Sequence, residues 1–297
     1  MTTHDLRRWT SQAITAACRD AYRDYERRRR NQYTAYFVAH PELAGEHPLL
    51  ARDLAAALPE GWSRLDALVP PNERHRWHLS GKSSQVLALG VLGVAMEREA
   101  KLGWTRAVGA PVPPSAGATA HLEYALAADV LDERPRVTAI DFLVDDPRFV
   151  LCAEAKWTEA GLGTCSCPDP AAGECAERVM ERTAYWTVLR EIFGLPVAER
   201  GRPCPLSTLY QAVRNVAAAV ALAGEDREAV FTLLYDAENP YFAGCGGWPG
   251  WPAILAATLD EARPKLTFTA ASWQDLMPRL PLDDATRFWA AEKHGID

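Results

Sequence analysis

The stretch TAIDFLVDDPRFVLCAEAKWTE, from Thr138 to Glu159, contains two apolar strand-like segments joined by the short polar turn DDPR. Charged residues interrupt both segments at positions where a strand normally buries aliphatic side chains. Asp141 lies in the first segment, and Glu154 and Lys156 lie in the second. Because successive side chains of a strand point to opposite faces, Glu154 and Lys156 are expected to be neighbours on one face. The stretch therefore predicts a β-hairpin that carries charge within a sheet.

The register of this hairpin decides whether the two acidic side chains meet. If Asp146 and Pro147 form a two-residue loop, Asp141 lies opposite Cys152 and diagonal to Glu154, about 7 Å away on the same face. A slip of one residue would place the two carboxylates on opposite faces. We therefore take Asp141 as the partner of Glu154.

Two carboxylates that converge beside a lysine suit a hard divalent cation such as Mg²⁺, which prefers oxygen ligands and keeps several waters. Such an ion lowers the pKa of a bound water and stabilises charge that develops on phosphorus. The alternative is structural: Glu154 and Lys156 form an exposed ion pair, and Asp141 satisfies a nearby group.

Strand and helix patterns alternate along the second half of the chain, which predicts an α/β fold with a mixed central sheet flanked by helices. Residues 1–78 are predicted to form an N-terminal helical region, helical from about 6 to 57. Residues 79–297 are predicted to form the core, with a cysteine-containing insertion at 161–205. The predicted strands are HLEYALAADVLDE, the two hairpin strands, AVFTLLYDAEN and KLTFTAASWQDL. Helices are predicted at residues 83–103, 175–193, 206–224 and 251–262.

Asp141 on one strand is followed on the next by the pattern E-x-K, formed by Glu154, Ala155 and Lys156. This arrangement resembles the core of the PD-(D/E)XK nuclease superfamily, which has the restriction endonuclease-like fold. The resemblance implies that Asp141 and Glu154 bind catalytic Mg²⁺ or Mn²⁺, with the carbonyl of Ala155 as a third candidate ligand. It also implies that Lys156 is the catalytic lysine. The position before the family's aspartate is often proline, and here it is Ile140.

Further residues fit the same resemblance. Many members carry an acidic residue upstream, for which HLEYAL offers Glu123, while Glu97 and Glu99 are alternatives. The segment YQAVRN resembles the glutamine-containing helix that follows the core in several of these nucleases. Gln211 would then support catalysis and Arg214 would contact the substrate backbone. The alternative for both residues is a polar helix face.

The seven cysteines predict reduced thiols or metal ligands rather than a disulfide framework, because no export signal accompanies them. Cys18 and Cys152 are expected in the core, and Cys245 is left open. Four other cysteines could close a structural Zn²⁺ site or, less readily, hold an iron–sulfur cluster; the remaining alternative is unliganded thiols. These four are Cys165, Cys167, Cys175 and Cys204.

The segment YERRRRNQY, from Tyr25 to Tyr33, has two interpretations. Four consecutive arginines wrap around a helix, which favours a solvated face. Arginines between tyrosines also suit phosphate contact with aromatic stacking.

Composition limits the class of protein. A hydrophobic content of 48% with no long apolar run predicts a globular, cytoplasmic protein that does not insert into membranes. The net charge of −7 excludes a uniformly basic surface but allows a locally positive groove. Together with the resemblance, we expect a Mg²⁺-dependent nuclease that acts on DNA, with a homodimer as one arrangement. The alternatives are an RNA nuclease and a catalytically silent module that binds DNA or protein.

Overall fold

A five-stranded mixed sheet, flanked by helices on both faces, organises the chain. The computed structural model describes residues 11–47, 49–69, 71, 74, 77–131, 137–163, 191–192, 208–260 and 266–296. The predicted fold class, a restriction endonuclease-like mixed sheet with an N-terminal helical extension, is confirmed. The domain boundary at residue 78 stays a prediction.

The strands follow one another across the sheet in chain order. The first three are antiparallel neighbours, and the last two are parallel to the third. They are β1 (Thr119–Ala125), β2 (Ala139–Asp146), β3 (Phe149–Ala155), β4 (Glu228–Tyr235) and β5 (Leu266–Ser272).

The helices cover both faces of the sheet and its ends. They are α1 (Ser11–Ala39), α2 (Leu54–Ala57), α3 (Ser84–Ala88), α4 (Val94–Arg98), α5 (Tyr210–Ala223), α6 (Pro240–Ala243), α7 (Trp251–Asp260), α8 (Trp273–Leu276) and α9 (Asp284–Trp289). A π-helical turn joins α3 to α4, and another follows α9; they span Leu89–Gly93 and Ala290–His294. Short 3-10 helices span Ser63–Leu68, Gly103–Arg106 and Met277–Arg279.

The hairpin loop is Pro147–Arg148, so the predicted loop was wrong by one residue. Asp146 pairs with Phe149 and remains part of β2. Its buried carboxylate accepts hydrogen bonds from the backbone N–H groups of Ser115 (2.6 Å) and Arg148 (2.9 Å). These bonds satisfy an acidic side chain inside the sheet, which explains why the loop begins after it.

The changed loop shifts the strand pairing by two residues, and a two-residue shift keeps every side chain on its face. Phe142 pairs with Ala153, and the register continued by one residue sets Asp141 opposite Glu154. The predicted partner of Asp141, Cys152, pairs with Leu143 instead. The two carboxylates are thus closer neighbours than the predicted diagonal arrangement.

Two hydrophobic cores lie on the two faces of the sheet. In β3, Leu151 and Ala153 join the core that includes α2 to α4, while Val150 and Cys152 join the core that includes α5 and α7. This alternation is the predicted one. Asp141 and Glu154 share the parity of Cys152 in the register, so the site lies on the α5 face.

Two of the predicted helices have different bounds in the structure. The segment predicted as helical from 6 to 57 contains α1 and α2, separated by turns. The helix predicted from 83 to 103 has the expected serine cap, since the Ser83 hydroxyl accepts from the N–H of Val86 (3.3 Å). It ends at Arg98, because Glu99 leaves the helical conformation (φ −136°, ψ 86°), and a 3-10 helix begins at Gly103.

The arginine run divides between solvent and core. The side chains of Arg27 and Arg28 are 71% and 59% exposed, as the solvated-face interpretation predicts. The Arg29 side chain is 4% exposed and forms an ion pair with buried Asp236 at 2.7 Å. Its guanidinium also lies over the Trp157 ring, 4.5 Å from the ring centroid. Arg29 therefore fastens α1 to the ends of β3 and β4.

None of the helices in the described part of the chain is long and apolar enough to cross a membrane. The predicted cysteine cluster, Cys165, Cys167, Cys175 and Cys204, lies outside the described residues, as does most of the predicted helix 175–193.

The prediction of reduced thiols was wrong for one pair of cysteines. Cys18 on α1 and Cys245 after α6 form a disulfide, with their Cα atoms 5.5 Å apart. The pair is separated by 227 residues, a distance along the chain that gives no pairing signal. Cys18 and Cys152 are buried in the core as expected, and Cys152 is a free thiol.

We predict that oxidised protein contains the Cys18–Cys245 bridge and that reducing it lowers the free energy of unfolding by about 2–4 kcal/mol. Alkylation under denaturing conditions without reductant, followed by peptide mass mapping, should label Cys152 and leave the pair unlabelled. Cys152 serves as the internal control. Alkylation of Cys18 and Cys245 in that sample would contradict the assignment.

Candidate functional site

Three neighbouring strands each place one carboxylate in a single row across the sheet. Glu123 lies between Leu122 and Tyr124, whose partners in β2 flank Asp141. Asp141 in turn lies opposite Glu154 of β3 by the hairpin register. We call Glu123, Asp141 and Glu154 the carboxylate row.

Lys156 directly follows the last residue of β3 and forms an ion pair with Glu154 of the carboxylate row. Its Nζ lies 2.5 Å from Glu154 Oε1, and both side chains are almost fully buried, at 6% and 4% exposed. The predicted closeness of the two residues is therefore observed. The structural alternative of an exposed ion pair is contradicted, because the pair is buried.

Helix α5 contacts both members of this pair. Lys156 Nζ donates to Gln211 Oε1 at 3.1 Å, and Asn215 Nδ2 donates to Glu154 Oε2. Gln211 and Asn215 are four residues apart and so lie on the same side of the helix. Sequence reasoning found Gln211 but missed Asn215, although the spacing Q-x-x-x-N beside the E-x-K strand was a usable signal.

Asp141 is held from the backbone of the neighbouring strand. Its Oδ2 accepts a hydrogen bond of 2.7 Å from the N–H of Ala155. Ala155 thus contributes its N–H in this structure, and its carbonyl as a metal ligand remains a prediction.

Glu123 adopts an unusual backbone conformation for its residue type. Its φ of 50° lies in the left-handed region, where a non-glycine residue costs about 1–3 kcal/mol. The residue is buried and lines the same cavity as Asp141 and Glu154. The two alternatives are engaged elsewhere: Glu97 pairs with Arg64, and Glu99 accepts from the N–H of Gly103.

The carboxylate row and Lys156 open into a cavity of about 670 Å³. Arg214 also lines it, and its Nε donates to the Thr138 hydroxyl at 3.1 Å. The acidic side chains of the lining are Glu123, Asp141, Glu154 and Glu159, and the basic ones are Lys82, Lys156 and Arg214.

The segment after Lys156 is fixed by aromatic and amide side chains. The Trp157 carbonyl accepts from Tyr25 Oη (3.1 Å) and Asn239 Nδ2 (3.0 Å). The Lys156 carbonyl accepts from Trp273 Nε1 (3.0 Å). Helix α1, the N-cap residue of α6 and the first residue of α8 therefore hold the backbone of Lys156 and Trp157 in place.

A protein-family model matches most of this chain. It is REase-ARP, described as restriction endonuclease associating with ARP, and it matches residues 49–292. The chain belongs to this family. No curated protein and no solved structure matches the chain. Membership supports a restriction endonuclease-like protein that interacts with nucleic acid, and the matched range contains the carboxylate row, Lys156 and α5.

The electrostatics of the REase-ARP site show a surplus of negative charge. Burial raises the pKa of Asp141 well above its usual value, and the charges of Glu154 and then Glu123 raise it further. Burial alone would lower the pKa of Lys156, but Glu154, followed by Glu159 and Asp141, raises it overall. Lys156 is therefore a protonated ammonium that several carboxylates share.

The row offers oxygen donors to a cation. Within the described residues, no group of three or more His, Cys, Asp or Glu side chains is arranged to hold a metal ion. Mg²⁺, however, commonly uses one or two carboxylates and fills its remaining positions with water and substrate phosphate. Asp141 and Glu154 fit that pattern, and the raised pKa of Asp141 marks the charge that a cation would neutralise.

We predict that Asp141→Asn stabilises the fold at neutral pH by an amount on the order of 1 kcal/mol, because it removes a negative charge that lies close to two other carboxylates. The asparagine Oδ1 can still accept from Ala155 N–H. A carboxyl whose pKa is raised by folding destabilises the native state when ionised, so the advantage should shrink as pH falls. Denaturant unfolding at several pH values would measure it.

The matched control is Asp145→Asn on the same hairpin, where the half-exposed carboxylate pairs with Arg227. That change should give no gain at any pH. A loss of stability in Asp141→Asn at neutral pH, equal to or larger than that of the control, would contradict the assigned charge surplus.

Proposed function

We propose that this protein is a metal-dependent nuclease of the PD-(D/E)XK type that hydrolyses phosphodiester bonds of DNA. One observation carries the proposal: Glu123, Asp141 and Glu154 lie in a row in the wall of a cavity, and Glu154 forms a buried ion pair with Lys156. It occurs in a chain whose family is described as restriction endonucleases. Outside such a site, three clustered acidic side chains with a single paired lysine would only cost stability.

Asp141 and Glu154 would hold Mg²⁺ or Mn²⁺, with the Ala155 carbonyl as a third ligand. The bound cation would supply a water of lowered pKa and would neutralise charge on the phosphate. Glu123 would add negative charge to the cation site from the neighbouring strand.

Lys156 would position the attacking water and the phosphate rather than remove a proton, because its raised pKa keeps it charged at neutral pH. Its ammonium has three donors, and the described contacts to Glu154 and Gln211 use two of them. The third is available for a phosphate oxygen. Hydrogen-bond donors fixed before reaction are the effective ones, since they need no reorganisation.

Helix α5 would act as the support of this arrangement. Gln211 orients the ammonium, Asn215 orients the Glu154 carboxylate, and Arg214 on the cavity wall would contact the substrate backbone.

Since the family is described as associating with ARP, we extend that association to this chain.

A catalytically silent module is the second candidate. It is favoured by the engagement of both Glu154 oxygens, one with Lys156 and the other with Asn215. A silent module would bind DNA equally well in chelator, whereas the proposed enzyme should bind more tightly with a divalent ion.

We predict that the purified protein cleaves supercoiled or linear DNA with Mg²⁺ or Mn²⁺. Asp141→Asn, Glu154→Gln and Lys156→Met should each lower the rate by about 100-fold or more, since they remove the groups that hold or position charge in the transition state. Initial rates on gels, with folding checked by circular dichroism, would measure the effect.

The matched control is Glu97→Gln, the same chemical change at the exposed acidic residue that the sequence also offered. It should retain the native rate. Equal rates in all five proteins would indicate a contaminating nuclease, and no cleavage of any DNA or RNA substrate by the native chain would favour the silent module.

A further inference from the structure

A partly exposed tryptophan lies on the wall of the catalytic cavity. Trp77 exposes 53% of its surface and lines the same cavity as Asp141, Glu154 and Lys156. The other large hydrophobic side chains that are exposed in the described residues do not line it: Val38, Val112 and Phe288. The exposed part of an indole in a cavity wall can stack on the flat face of an aromatic ligand.

The turn that carries Trp77 is held firmly on the body of the protein. Its carbonyl accepts from the N–H of Ser80 at 2.9 Å, and the following residues bond to the segment 49–51. Gly81 completes the turn against α1, where a Cβ atom would lie 2.7 Å from the Tyr33 ring. The indole is therefore presented from an ordered segment, which keeps the entropy cost of ligand binding low.

The reacting groups lie below this rim. Glu154 and Lys156 are 3% and 5% exposed, so a phosphodiester must enter the cavity to reach them. In a duplex the bases are stacked inside and turned away from a protein that contacts the backbone. An unpaired strand, in contrast, can turn one base onto an aromatic side chain while its phosphate enters the cavity.

The charge of the cavity also selects a ligand. Among the described residues, its lining has four carboxylates and three cations, so with a bound divalent cation only a small net charge would remain to attract a phosphate. Affinity for the strand must then come partly from a contact that does not depend on charge. Stacking on an indole provides such a contact and tolerates every base, since each has an aromatic face.

We infer that Trp77 is a base-stacking subsite and that the cavity takes unpaired DNA: a single strand, a frayed end or an extruded nucleotide. This inference rests on the proposed function and specifies its substrate class. The base that stacks on Trp77 is a neighbour of the scissile phosphate, which the carboxylate row and Lys156 receive.

The test measures binding separately from cleavage. Fluorescence anisotropy of a labelled single-stranded DNA oligonucleotide, and of the same sequence as a duplex, is followed in Mg²⁺ on the Asp141→Asn background, which we expect to fold and not to cleave. We expect the single strand to bind more tightly than the duplex. Trp77→Ala should weaken single-strand binding about 5- to 150-fold, the range that stacking of one base supports.

Trp77→Phe is the conservative variant, and it should keep single-strand affinity within a few-fold of the parent because it retains an aromatic face. Phe288→Ala is the matched control: it removes an exposed aromatic side chain that does not line the cavity, and it should change nothing. Equal affinity of the Trp77→Ala variant and its parent, or an equal loss for single strand and duplex, would overturn the inference.

The two proposals can fail separately. Cleavage of DNA by the native chain, with single-strand binding insensitive to Trp77→Ala, overturns the stacking subsite and leaves the nuclease assignment. Single-strand binding that depends on Trp77, without cleavage by the native chain in any divalent ion, supports the subsite and overturns the catalytic assignment.

Discussion

The buried ion pair between Lys156 and Glu154, at one end of a row of three carboxylates, is the constraint on which the candidate site depends. Glu123, Asp141 and Glu154 come from three different strands, and Lys156 contacts only the last of them directly. Such a cluster is stable only if each group is held in place, because removing one partner of a buried pair leaves an uncompensated charge. The geometry of the sheet must therefore be fixed near these residues.

Two supports provide that rigidity from opposite directions. Helix α5 contacts the side chains, through Gln211 and Asn215. Helix α1 holds the backbone that follows Lys156, and it is itself fastened by the buried pair of Arg29 and Asp236. The N-terminal helix is thus part of the site's framework, although none of its residues lines the cavity.

The central residues of the site were accessible from the sequence for a physical reason. Successive side chains of a strand alternate between the two faces of the sheet. An error of two residues in the predicted hairpin register therefore left Asp141 and Glu154 on the same face. The loop position itself was not predictable, because it depends on buried bonds between Asp146 and the distant Ser115. Lys156 followed from the same parity, and Gln211 followed from a family resemblance.

Other features depend on tertiary contacts that leave no local pattern. The spacing of Asn215 from Gln211 places both on one side of the helix, but the contact of Asn215 with Glu154 arises only where α5 crosses β3. Arg29 looks like its exposed neighbours until Asp236 is placed beside it. Likewise, Cys18 gives no indication that Cys245 is its partner.

The central claim is that Asp141 and Glu154 bind a divalent cation, and calorimetric titration of the chelator-treated protein with Mn²⁺ tests it most directly. The account predicts saturable binding at this site by the native chain. It also predicts affinity at least about 10-fold weaker in Glu154→Gln, because a ligand charge is lost. Absence of binding, or equal affinity in the native and Glu154→Gln proteins, would contradict it.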